Sequence, residues 1–146
     1  MGTRRAAREL VVQYFYQRDQ SPKDCPVSDA DFWAMVAAAE PARKLAAEWI
    51  EQMRDKVPDL DKEIRTYLEN WSFDRLTLVD RNILRLALFE MHHRPDIPPV
   101  VSINEAVEIA KRFSTADSGK FVNGILDRAR LALNRPARTR AKPGSA

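Results

Sequence analysis

Four small groups of residues have types that do chemistry elsewhere, and spacing decides what each can do here. Ser118, Gly119 and Lys120 look like the end of a phosphate-gripping loop, in which backbone amides cradle phosphates and a lysine reaches their oxygens. That loop also needs a glycine five residues before Gly119 and a serine or threonine after the lysine. Ser114 and Phe121 stand there instead, so the motif fails twice. His92 and His93 are adjacent, and on a helix they point about 100° apart, which does not suit a shared metal. They fall at the end of an apolar helix, where a cation meets the helix dipole favourably. Cys25 is the only cysteine, which excludes an internal disulfide and a multi-cysteine metal site. It sits in a proline-rich stretch with no histidine close in sequence to activate it. Asp59, Asp61 and Glu63 form a carboxylate cluster, but in the first turn of a helix they complement the dipole without doing chemistry. No catalytic residue, metal ligand or cofactor is expected, and the chain reads as a non-enzyme.

A fifth stretch is odd for another reason. "DSGKFVNGILDRA", from Asp117 to Ala129, has helical periodicity, yet Gly124 sits in its interior, where glycine costs about 1 kcal/mol relative to alanine. Lys120, Phe121 and Asn123 put a charge, an aromatic ring and an amide beside it.

The elements that position these residues follow from pattern. Helical spacing of apolar residues runs almost throughout the 146 residues, with few glycines and no strand-like alternation. A first helix is expected from about Thr3 to Arg18, with Leu10, Val11, Tyr14 and Phe15 inward. A second is expected from about Ser28 to Glu40, ended by Pro41, which disfavours helix in the residue before it. Pro41 then suits the first turn of a third helix carrying Leu45, Trp49, Ile50 and Met53. Pro58 is read as its end, and Asp59 as the N-cap of "DLDKEIRTYLENW". Thr77 and Asp80 have capping-box spacing ahead of "LVDRNILRLALFEM", the most apolar and most buried helix. Pro95, Pro98 and Pro99 read as a stiff loop before a capping box of Ser102 and Glu105, with Ile103, Ala106, Val107 and Ala110 on the inner face. A last helix runs from about Asp117 to Leu133. The expected fold is all-α, about seven helices in a single domain over residues 1–134, with a basic flexible tail at 135–146.

Charge adds a hint about partners. Residues 1–8 carry Arg4, Arg5 and Arg8, and residues 128–146 carry six more basic residues, with no acid in either stretch. Those nine taken from 24 leave 15 basic residues in the body against all 21 acidic ones, a net −6. Basic ends on an acidic body suit a polyanion at the ends and another partner at the body, although basic ends also serve solubility alone. No apolar run reaches the roughly 18 residues of a membrane span, and the N-terminus has no apolar signal core, so a cytoplasmic protein with no membrane partner is expected.

Four blocks in order, "RRAAREL" with "FYQ", "NWSFDRL" with "VDRNILRLALFEM", "PPVVSINEAVEIAKRF" and "ADSGKFVNGILD", resemble the bacterial NusB family of transcription antitermination factors over residues 3–133. "INEAVEIAK" followed closely by "KFVNGILD" is the most specific part. The resemblance implies two small helical bundles packed together and RNA binding without catalysis. With the ribosomal protein NusE, such a protein holds the single-stranded boxA element of nascent ribosomal RNA transcripts. Together with other Nus factors, it lets RNA polymerase read through terminators. Some members self-associate, so a homodimer is among the implied assemblies.

The resemblance also implies site residues. Arg4, Arg5 and Arg8, beside the start of the last helix, would engage phosphates with Lys120, and Phe121 would stack on an unpaired base. Ser118 and Asn123 would bond a base edge or ribose, and Gly124 would let a helix or the RNA backbone come close. Tyr16 and Asp80 match positions at the NusE interface, Asp80 with a shorter reach than the glutamate of some members. Structural roles stand beside each: Phe121 as a core residue, Asn123 and Gly124 in helix packing, Arg8 paired with an acid, and Asp80 in its cap. The arginine block is thinner than in members with five basic residues there, and Gly119 stands where relatives carry larger or polar residues. The basic tail is longer than expected and would add salt-sensitive phosphate contacts. Two other functions fit the same residues, a NusB-like module of a ribosomal RNA methyltransferase and a purely protein-binding helical adaptor.

Overall fold

A computed structural model describes residues 2–69 and 72–133 of the chain. The expected tail at 135–146, and Asn70 and Trp71 of the second matching block, lie outside the described residues. The described residues form seven α-helices and two short 3-10 turns, with no strand among them. They fall into two compact units that divide between Asp55 and Lys56.

The first unit holds α1 (Thr3–Gln20), α2 (Asp29–Met35) and α3 (Glu40–Met53). Helix α1 packs on α3. Leu10, Val11, Tyr14 and Phe15 are buried as their spacing requires, as are Trp49, Ile50 and Met53. Phe32 of α2 meets Tyr14 edge-on, with ring centroids 5.3 Å apart. Ser28 caps α2 by accepting from the Asp31 amide. This helix stops at Met35, five residues before the expected end at Glu40. The guanidinium of Arg43 takes the terminal carbonyls of Trp33 and Val36 at 3.0 and 3.1 Å, and so satisfies the open helix end. Tyr14 donates to Asp29 at 2.7 Å, and Arg54 pairs with the same carboxylate. Burial alone would raise the Asp29 pKa, but the hydrogen bonds from Tyr14 and Arg54 and the arginine charges outweigh it and hold the acid below its ordinary range.

The second unit is built on α5 (Leu78–His93), against which α4 (Val57–Tyr67), α6 (Pro99–Phe113) and α7 (Ala116–Ala132) pack; α6 and α7 also pack on each other. Ile83, Leu84, Leu86, Ala87, Leu88, Phe89 and Met91 of α5 are all buried. Two expectations about helix starts are corrected. Pro58 opens α4 rather than closing α3, and Asp59 lies inside the first turn with Lys56 at the N-cap, because proline's fixed φ suits a first turn. Pro99 likewise starts α6, one turn before the expected capping box. Ser102 is therefore internal and buried, and its hydroxyl donates to the buried Glu90 at 3.0 Å.

The acid cluster is also corrected. Asp61 forms a two-pronged pair with Arg85 of α5, at 2.6 and 2.7 Å. Glu63 meets His92 Nε2 at 2.7 Å and accepts from Tyr67 at 3.0 Å. These two carboxylates tie α4 to α5 rather than merely facing a dipole.

Candidate functional site

The last helix opens on a capped turn. Thr115 accepts from the Ser118 amide at 3.0 Å, which fixes where α7 begins and so which faces its residues take. Residues 118 and 119 turn inward and are buried, while Lys120 and Asn123 are exposed and Phe121 is half-buried. Val122, Ile125, Leu126 and Ala129 form the core stripe.

Two glycines in this helix have opposite reasons. A side chain at Gly119 would place its Cβ 3.0 Å from Lys111 Cγ of α6, so α6 and α7 approach too closely there for a larger residue without displacement. At Gly124 a Cβ would meet nothing within 4 Å. Helix packing therefore does not account for Gly124, and its cost of about 1 kcal/mol has no compensation inside the unit.

Beside Gly124 lies an open groove of about 260 Å³. Lys120, Phe121, Gly124 and Arg128 line it from α7, and Tyr67 and Glu69 line it from the end of α4 and the loop beyond. Arg128 holds that loop in place, donating to the Tyr67 carbonyl at 2.8 Å and standing 3.5 Å from the Glu69 carboxylate. Burial, reinforced by the hydrogen bond to Glu63 and by its charge, pushes the Tyr67 phenol up to about 12. Burial opposes ionisation of Glu63, but its bonds to His92 and Tyr67 and the His92 charge win and lower its pKa. Nothing in the local sequence marks Tyr67, Glu69 or Arg128 as groove residues; only folding brings residue 128 to residue 67.

The other expected site residues divide by exposure. Ser118 donates its hydroxyl to the Asp80 carboxylate, and both are buried. Asp80 also gives its amide to Thr77 Oγ1 at 3.1 Å, the cap foreseen for α5. The polar atoms of this pair are spent on each other, linking α5 to α7. In the first unit Arg4 is exposed and Arg5 half-buried at the start of α1, and Tyr16 is half-buried further along it. Arg8 is buried, its guanidinium 5.5 Å from the centre of the Trp49 ring, so a phosphate reaches it only if that stack opens. Among the described residues no group of three His, Cys, Asp or Glu is placed to hold a metal ion, and no helix is long and apolar enough to cross a membrane.

Comparison with known proteins finds relatives along most of the chain. The family model described as "NusB family" matches residues 5–130. A relative in Methylacidiphilum infernorum, a transcription antitermination protein NusB, is 43% identical over 129 residues, covering 87% of this chain and 90% of its own. Among solved structures, NusB of T. maritima is 38% identical with a TM-score of 0.77 over 92% of both chains. A structure of the antitermination factors NusB and NusE in complex with dsRNA has a TM-score of 0.73, covering 90% of this chain and 98% of that one; at 23% identity it shares the fold.

Proposed function

The chain belongs to the NusB family, and from that premise we propose how it does the family's work of transcription antitermination. It is a regulator that acts by binding, in the cytoplasm, and performs no catalysis. Together with the ribosomal protein NusE it holds the single-stranded boxA element of nascent ribosomal RNA. With the other Nus factors it keeps RNA polymerase reading through terminators.

The observation that carries the RNA assignment is the polar, exposed turn of α7. Lys120 is free in solvent for a phosphate, Phe121 offers part of its ring, Asn123 is exposed, and Gly124 leaves room that the unit itself does not use. A half-buried ring beside an open groove can stack on a base, and single-stranded RNA offers such bases. Arg4 and Arg5 in the first unit supply further phosphate contacts. Ser118 contributes by position, since its bond to Asp80 sets the first turn of α7. Tyr16 is the better exposed of the two residues assigned to NusE, and the buried Asp80 takes its cap role at the start of α5.

Fluorescence anisotropy of a labelled boxA RNA, with and without NusE over a salt series, tests the reading. Binding that tightens with NusE and weakens with salt is expected, the salt slope falling by about 0.7 for each phosphate contact removed with Arg4 or Arg5. Flat anisotropy at low salt with both proteins present refutes it and leaves a protein-binding adaptor.

A further inference from the structure

The groove beside Gly124 has a composition that Phe121 stacking alone does not require. We infer that it is a pocket for one unpaired nucleobase, with guanine the base it fits best; this rests on the RNA-binding reading. The walls are unlike each other. On one side stands the half-buried aromatic ring of Phe121, and Gly124 gives a stretch of bare helix over which a flat ring can lie, since nothing approaches its missing side chain within 4 Å. On the other, the backbone of residues 67–69 is pinned by Arg128, so the wall is preformed. Lys120 stands at the rim for the adjoining phosphate.

Glu69 gives the pocket its chemical preference. A carboxylate only accepts hydrogen bonds, and it has two oxygens side by side. Guanine presents two adjacent donors on its pairing edge, N1–H and the N2 amino group, whereas uracil presents one. Glu69 is 71% exposed and its contact with Arg128 is a surface ion pair at 3.5 Å, so exchanging part of that pairing for a base edge costs little. Arg128 acts as a positioning residue, holding the wall rather than reading the base.

The test measures binding of a labelled oligouridine dodecamer, and of the same strand with one central guanosine, in the presence of NusE. The single guanosine is expected to tighten binding. Gly124→Leu fills the floor and is expected to weaken the guanosine strand roughly 5- to 150-fold, the range of one lost base stack. Its melting temperature should hold or rise, because leucine is the better helix former and has open space there. Gly124→Ala should act in the same direction with a smaller loss. Glu69→Gln replaces one acceptor by a donor and should erase the preference for guanosine, bringing the two strands to the same affinity. Wild-type affinity in Gly124→Leu, no guanosine preference in the wild type, or a preference surviving Glu69→Gln would each overturn the pocket and leave RNA binding standing. Failure of the wild type to bind these strands and boxA alike would remove the RNA reading itself, and the pocket with it.

Discussion

Removing Arg85 should cost this protein more stability than any single change on the exposed turn of α7. The guanidinium is 5% exposed and its partner Asp61 14% exposed. It gives Asp61 two hydrogen bonds, at 2.6 and 2.7 Å, and a third to Asn82 Oδ1 at 2.9 Å. Asn82 in turn donates to the Leu78 carbonyl at 2.9 Å, so the network stiffens the first turns of α5. Arg85→Ala strands a largely buried carboxylate and an amide oxygen, a loss of about 3–5 kcal/mol. Against a total stability of roughly 5–15 kcal/mol, that is a large share. For a unit of this size each kcal/mol moves the melting temperature by about 4–8 °C, so a fall of roughly 12 °C or more is expected. The double variant Asp61→Leu with Arg85→Met removes both charges, and should recover most of the loss because well-packed apolar residues often replace a buried pair at no net cost. Urea unfolding followed by far-UV circular dichroism, on the wild type, Asp61→Leu, Arg85→Met and the double, gives the coupling directly, with Arg85→Ala measured alongside. A cost below about 1 kcal/mol for Arg85→Ala, the value of an exposed pair, would refute the reasoning and mark the pair as solvated.

The remaining expectations concern the site and its supports. Phe121→Ala should weaken boxA binding by about 1–3 kcal/mol, with a stability loss short of the roughly 3–5 kcal/mol of a core phenylalanine; a full core-sized loss in a urea melt would make the ring a packing residue. Ser118→Ala leaves the buried Asp80 carboxylate without its hydroxyl donor and should cost about 1.5–3 kcal/mol in the same melt; an unchanged midpoint would show that water replaces the hydroxyl. Tyr67 is raised from 10.0 to about 12, so its neutral form favours the folded state, fully below pH 10 and progressively less as pH rises toward 12. An absorbance titration of tyrosinate should therefore show a last phase near 12 that Tyr67→Phe removes, and a titration complete near 10 in the wild type would contradict this. Glu63 is lowered from 4.5, so its contribution is present above that value and lost as pH falls through the lower folded one. Glu63→Gln should flatten the acid limb of a stability profile, and parallel profiles would contradict the assignment.

What could be read without a fold were the features written in neighbouring residues. Helical spacing identified all the helices, the inward face of α1 and the burial of α5, because the pattern of apolar residues is local. The cap by Thr77 could be read for the same reason, since it bonds an amide three residues on. Prolines misled at two starts, since one residue type both ends a helix before it and opens one after it, and only packing decides which. The capping box at Ser102 failed because a serine followed by a glutamate satisfies the spacing rule inside a helix as well as at its end.

The amino-acid sequence by itself determined the fold class and the family, and it singled out one stretch of the last helix as unusual. It left the roles inside that stretch open. Ser118 and Asp80 are 38 residues apart, Asp61 and Arg85 24 apart, and Tyr67 and Arg128 61 apart. No local rule couples positions so distant, and tertiary packing alone turned Ser118 inward, buried Arg8 on Trp49 and carried Glu69 to the groove. The two glycines show the division most simply. Gly124 alone reads as an irregularity in the helix, yet it is at Gly119 that an added Cβ would press on Lys111 Cγ at 3.0 Å, while at Gly124 it would meet nothing within 4 Å.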